Sequence, residues 1–273
     1  MTRPVCRQIA ALIASCLLAV GLAAQVPLNY VTQGESLPCL EKRFSLRVHV
    51  NDTPDGPQPF DTAAFASMVE RANAAFAPIC VQFEVCEYLR VENYRYHSHE
   101  NHDADELIVL EGDPNRIDVY VPAIDSSEFV CGRASLNGID DNANSYVMVV
   151  GSCIAPGGTT LAHELGHYFN LYHTFETDFG AELVDSTNCA TAGDLVCDTP
   201  ADPYIIGSPI QWVSPLDPCR FVYAGVDDRS RFYIPHTANI MSYYDESCHC
   251  GFTRGQLARM AAACIAADPD RVW

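Results

Sequence analysis

The chain has 273 residues, of which 48% are hydrophobic and 19% charged, a globular composition with enough length to bury a substantial core. Against 35 acidic residues there are 16 Lys and Arg, a net charge of −19. A surface so acidic repels phosphate backbones and anionic bilayers, which argues against nucleic-acid or membrane-surface partners, and favours cationic partners and hard ions such as calcium.

Arg3 and Arg7 precede an apolar run from Ile9 to Ala24 that ends in small residues, Gly21-Leu22-Ala23-Ala24. The run is shorter than the ~20 residues that cross a bilayer and has the layout of a secretory signal. The expectation is a signal peptide over 1–24, an N-terminal arm or short pro-segment over 25–42, and a folded domain over 43–273, secreted to an extracellular or periplasmic space. A retained signal anchor, or lipidation at Cys16, is the alternative; lipidation would leave apolar Leu17 to Ala24 on the mature end. No later stretch is apolar enough to span a membrane. Of 13 cysteines, Cys6 and Cys16 fall in the signal. An odd number remains, so disulfides are expected with at least one thiol left over.

Phe44, Leu46, Val48 and Val50 alternate with Ser45, Arg47 and His49, which predicts a half-buried strand. Residues 51–59 form a loop rich in Asp, Pro and Gly. Asp61 then opens a helix with Phe65, Met68, Ala72 and Phe76 on one face, and Pro78 stops it. Val81, Phe83 and Val85 make a second strand, so the order strand, helix, strand predicts a right-handed crossover between parallel strands. Ile117, Val119 and Val121 make a third strand, and Tyr146 to Val150 a fourth, covered on both faces. After Gly157-Gly158, Thr159 or Thr160 caps a helix whose core face is Leu161, Leu165 and Phe169. Residues 174–252 lack periodicity and read as disulfide-stapled loops. Thr253 to Gln256 is a capping box opening the last helix, with Leu257, Met260, Ala261 and Cys264 inward.

The chemical signal lies in the first of these two helices, in His163-Glu164-Leu165-Gly166-His167. Histidines four apart share a helix face and can bind one metal ion, with Glu164 beside them positioned for a water. His173 follows six residues later and can be a third ligand only if the chain turns first. Asn170 is the best non-glycine residue for the left-handed conformation that such a turn needs. Ordinary helix histidines are the alternative. With His only 9 of 273 residues, a third one at this offset makes chance a poor explanation.

The segment HELGHYFNLYHTF resembles the zinc-binding motif HExxHxxGxxH of the metzincin metallopeptidases, and within them the pappalysin family. Gly193-Asp194 with Asp198-Thr199-Pro200, Asn239 to Tyr243 as a Met-turn, and Cys248 with Phe252 to Gln256 and Arg259-Met260 are similar to that family's later segments. The likeness is specific from about Thr160 to Met260; the one departure is Asn170 for a glycine. It implies an α/β (α+β), metzincin-like fold: a twisted mixed sheet with the zinc helix over 43–173, and an irregular disulfide-rich lower part over 174–273. It implies one Zn(2+) on His163, His167 and His173, with Met241 beneath it. Glu164 would be the general base, lying in the cleft without a packing role. Tyr243 would stabilise the intermediate, or else be a packed core tyrosine. A calcium ion near Asp194, Asp198 and the carbonyls around Thr199 is implied too, turn capping being the alternative. Position and likeness together suggest the pairs Cys197–Cys219 and Cys189–Cys248. Cys39 is read as a plain disulfide half, with a latency role as the alternative. His97, His99 and His102 could bind a second metal but fit a solvated loop better.

The function expected is that of a secreted zinc-dependent endopeptidase acting on protein or peptide substrates. The rival is a secreted binding protein with a structural zinc site, which would not need Glu164. Oligomeric state and cleavage specificity stay open.

Overall fold

The computed structural model describes residues 36–99, 106–108, 110–125 and 130–267. The expected signal peptide, Cys16, the first part of the N-terminal arm, and the side chains of the 97–102 histidine cluster lie outside the described residues.

The first half of the chain forms strands β1 (Lys42–Asn51), β2 (Val81–Val91), β3 (Ser98–His99), β4 (Ile117–Val121), β5 (Ile124–Asp125), β6 (Gly132–Ala134) and β7 (Val147–Val149), with apolar alternation clearest in β1 and the start of β2. Five of them form one sheet in the order β2-β1-β4-β7-β6. β1, β2, β4 and β7 run parallel, and β6 closes one edge antiparallel to β7. β3 and β5 pair separately. Between β1 and β2 lies helix α1 (Thr62–Phe76), capped by the Asp61 side chain, which accepts from the amides of Ala63 and Ala64. Such a cap is worth about 1 kcal/mol. Phe65, Met68, Ala72 and Phe76 are fully buried, so the crossover lays its apolar face on the sheet as the periodicity predicts.

Helices α2 (Thr160–Tyr168) and α3 (Arg254–Ala266) share that core. Phe44, Phe76, Phe83, Phe169 and Phe252 meet there, mostly edge to face, an arrangement that adds to their burial. At the start of α3 both halves of the expected capping box form between Thr253 and Gln256.

The half-buried expectation for β1 holds from Phe44 to Val48 and needs correcting at His49. His49 is completely buried, its Nε2 2.7 Å from Asp118 Oδ1 and its ring stacked on Tyr120. Val91, Tyr96, Leu107, Ile108 and Tyr120 make a second apolar cluster, so this end of the sheet is covered on both faces. The covering segment carries no strong periodicity that would announce it.

Beyond α2, among the described residues, the named strands are the hairpin β8 (Val213–Ser214) and β9 (Asp217–Phe221). Among the described residues the disulfides are Cys39–Cys80, Cys131–Cys153, Cys189–Cys197 and Cys219–Cys248. Cys39 is thus a plain disulfide half. The expected pairs Cys197–Cys219 and Cys189–Cys248 are not formed. The turns after Leu183 fold Cys189 back on Cys197 within a loop of eight residues, while β9 carries Cys219 across to Cys248. No helix among the described residues is long and apolar enough to cross a membrane.

Candidate metal centre

α2 ends where the sequence requires it to. Asn170 adopts φ 75°, its amide bonds back to His167 O, and the Leu171 amide bonds to Gly166 O at 2.9 Å. This is a Schellman turn with asparagine in the left-handed position. It reverses the chain, so that His173 returns to the face carrying His163 and His167. Nε2 of His167 lies 3.2 Å from Nε2 of His163 and 3.0 Å from Nε2 of His173.

Two carbonyls set the direction of these nitrogens. His163 Nδ1 donates to Ile240 O at 2.6 Å and His167 Nδ1 to Leu171 O at 2.7 Å. With its proton on Nδ1, each ring turns the Nε2 lone pair toward the common point, the tautomer that a metal ligand needs. Burial holds all three imidazoles neutral. His163 titrates well below its ordinary value through desolvation and its two neighbours, His167 is lowered by desolvation, and His173 is pushed down to about 3. Three neutral nitrogens converging on one point suit a divalent cation, and among the described residues this is the one His, Cys, Asp and Glu group of three or more with that geometry. They fit zinc by donor type and number.

The floor is the turn 239–243. Met241 is fully buried, and its sulfur lies against Gly166, where any side chain would collide with it. The ring of Tyr243 stands 5.6 Å from that of His163 and 4.8 Å from that of His173. It is 40% exposed, so it is not the packed core tyrosine of the alternative reading. Burial of part of the ring, then the charge of Glu164, pushes its hydroxyl up to about 12. Phe175 stacks on His173 and continues through Tyr204 to Trp212 as an aromatic wall.

Glu164 departs from expectation. It is only 4% exposed, and its Oε2 has no hydrogen-bond partner among the described residues. Its side chain packs over Gly132 of edge strand β6: a Cβ at Gly132 would stand 2.6 Å from Glu164 Cγ and 2.5 Å from Oε1. Desolvation pushes the carboxyl up to about 8, Arg133 partly offsetting this. The sequence reading missed β6, since three residues, Gly-Arg-Ala, offer no alternation to detect.

Asp194 accepts from the Val196 amide and the Thr199 hydroxyl, while Asp198 holds the start of α3 through the Thr253 hydroxyl and Gly255 amide. Asp198 therefore does the capping work of the alternative reading. A carboxylate that sequence reasoning missed, Glu182, faces Asp194. Its Oε1 is buried without a partner among the described residues, and burial together with Asp194 pushes the carboxyl up to about 8.

Comparison with known proteins finds metallopeptidases. The family model described as pregnancy-associated plasma protein-A matches residues 139–265, and one described as reprolysin-like metallopeptidase family M12B matches residues 62–174. An extracellular metalloprotease of Pyricularia oryzae is 39% identical over 107 residues, 38% of this chain and 29% of that protein. Another, of Verticillium alfalfae, is 26% identical over 262 residues, 90% of this chain and 84% of that protein. The chain thus spans under a third of the length of the first and most of the second. Among solved structures, mature mirolysin of Tannerella forsythia in complex with a cleaved peptide superposes with a TM-score of 0.58 at 16% identity, covering 84% of this chain and 91% of that one. The fold is that of the metzincin peptidases.

Proposed function

We propose that this chain, metzincin in fold and pappalysin-like in sequence, is a secreted zinc endopeptidase that cleaves protein or peptide substrates. The observation that carries the proposal is the convergence of three Nε2 atoms beside a buried carboxylate with an unpartnered oxygen. His163, His167 and His173 would hold the zinc. When bound, zinc lowers the pKa of water to about 7 and polarises a carbonyl. Glu164 Oε2 is the atom that takes the proton from the attacking water and passes it to the leaving amine. Its pKa of about 8 belongs to the ion-free protein; a dication among the histidines favours the ionised base. Tyr243 keeps its proton at neutral pH and can donate it to the oxyanion that develops on the substrate.

Glu164 also weighs against the rival reading of a binding protein with a structural zinc site. Burying a carboxylate without a partner costs stability, and a structural site gains nothing from it. Homologues named extracellular metalloproteases support both export and proteolysis. A calcium ion between Glu182 and Asp194 is a separate proposal, supported by the two facing carboxylates and the unpartnered Glu182 oxygen.

Glu164→Gln tests the function. Expected are full zinc content and a loss of casein or peptide-library cleavage of about 10²–10⁴-fold. Equal cleavage by the variant would remove Glu164 as the base. No cleavage by a zinc-loaded wild type would favour the binding protein.

A further inference from the structure

His249 follows the short turn Glu246–Cys248, is 4% exposed, and has no part in the chemistry above. Its Nδ1 lies 2.8 Å from Thr159 Oγ1 and its Nε2 3.4 Å from Ser242 Oγ. Ser242 gives its hydroxyl proton to Asn239 O at 2.8 Å, so it can only accept from His249. The ring also gives a hydrogen bond to the Tyr244 carbonyl; with the proton on Nε2, Nδ1 is left to accept from the Thr159 hydroxyl. Burial and the nearby Arg71 charge hold this imidazole neutral, pushing it down to about 4.

Thr159 is the second observation. It occupies the N-cap position of α2, where a threonine oxygen normally accepts from an amide of the first turn, worth about 1 kcal/mol. Here its side chain makes no capping bond; it is engaged with His249 instead. A closed circuit results. Thr159 O accepts from the His163 amide at 2.9 Å, and His163 Nδ1 donates to Ile240 O at 2.6 Å. Ile240 and Ser242 belong to one turn, and Ser242 leads back through His249 to Thr159. His163 thus sits inside a ring of contacts between segments 90 residues apart in sequence.

We propose that His249 is a positioning residue for the metal centre: it ties the turn 239–243 to the start of α2, so that His163 is held by backbone and ring in one orientation. The proposal rests on the reading of His163, His167 and His173 as the zinc ligands. A residue that only packs would lower the melting temperature when replaced and leave the folded centre unchanged. A positioning residue alters the centre in the protein that remains folded.

His249→Phe keeps a ring and removes both nitrogens; Thr159→Val removes the hydroxyl at constant shape; His249→Asn keeps an acceptor near the Nδ1 position. For each, zinc release to a chelator, the visible spectrum of the cobalt-substituted protein, and kcat and KM are measured. Expected for His249→Phe are about tenfold faster zinc release and about tenfold lower kcat, with KM within about twofold. The cobalt spectrum should shift. His249→Asn should recover part of the loss. Thr159→Val should copy His249→Phe, and the double variant should be no worse than either single one, because both break one circuit. Wild-type zinc release, spectrum and kcat in a folded His249→Phe would overturn the proposal, whatever its melting temperature. If that variant does not fold, the same readouts on Thr159→Val decide. A wild type that holds no zinc would overturn the metal reading itself, and this proposal with it.

Discussion

Gly132→Ala adds one methyl group at the point where the edge strand meets the proposed base. The new Cβ would stand 2.6 Å from Glu164 Cγ and 2.5 Å from Oε1, whereas ordinary contact begins near 3.4 Å. The carboxylate or the strand must therefore retreat by about 0.8–0.9 Å. The strand has little room to do so. Gly132 pairs with Val149 in the ladder to β7, and the adjacent Cys131 is tied to Cys153. Gly132 has no positive φ, so alanine brings no backbone strain, and the contact with Glu164 is what the substitution tests. Overpacking of this size costs about 1–3 kcal/mol of stability. A displacement approaching 1 Å at a catalytic group costs up to about 10²-fold in rate. The expected result is a fall in kcat of about 10- to 100-fold with zinc content unchanged. Peptide-cleavage kinetics with metal analysis on the same sample would check it. A folded Gly132→Ala protein with wild-type kcat would show that Glu164 does not need its position over β6, and would refute the reasoning.

Asn170→Ala should lose about 1–2 kcal/mol, because alanine has no side-chain compensation for a φ of 75°. Asn170→Gly should stay within about 0.5 kcal/mol, relief of the left-handed strain offsetting the lost contact from Arg259. Thermal melts of both would decide, and equal melting temperatures would contradict the turn's role. Glu182 and Asp194 titrate near 8 and near 7, both raised chiefly by burial. Ion-free, the folded protein then keeps protons that the unfolded chain has released, so these groups make stability fall as pH rises from about 4 to 8. Calcium displaces those protons, so its stabilising effect should grow across the same window. Melts near pH 5 and near pH 8, with and without a calcium-selective chelator and with zinc followed in parallel, would test this; no effect near pH 8 would remove the calcium site.

Much of the molecule is legible in short stretches of sequence because its causes are local. The stripe Phe65, Met68, Ala72 and Phe76 and the Asp61 cap specify α1 within one helix length. The four-residue spacing of His163 and His167 puts both on one helix face, and Asn170 supplies the turn that returns His173. Thr253 and Gln256 close their capping box three residues apart. In each case the residues that interact are neighbours along the chain, so the pattern itself carries the geometry.

Other features arise only where distant segments meet. The partners of Cys189, Cys197, Cys219 and Cys248 depend on how a loop region without periodicity folds back, and residue spacing carries no information about that. Alternation alone left His49 facing solvent, yet residues from another part of the chain cover it. The HExxH motif identified Glu164, but its burial depends on Gly132 of a three-residue strand, too short to show a period of two. The carbonyl that orients His163 comes from Ile240, 77 residues away, and His249 reaches Thr159 across 90. The sequence by itself determined the histidine helix, its turn and the order of the longer strands and helices, because those follow from contacts within a few residues. The burial of the proposed base, the disulfide pairs and the ring of contacts around His163 were decided by the tertiary structure, because each needs two segments that only chain folding brings within hydrogen-bonding or van der Waals distance.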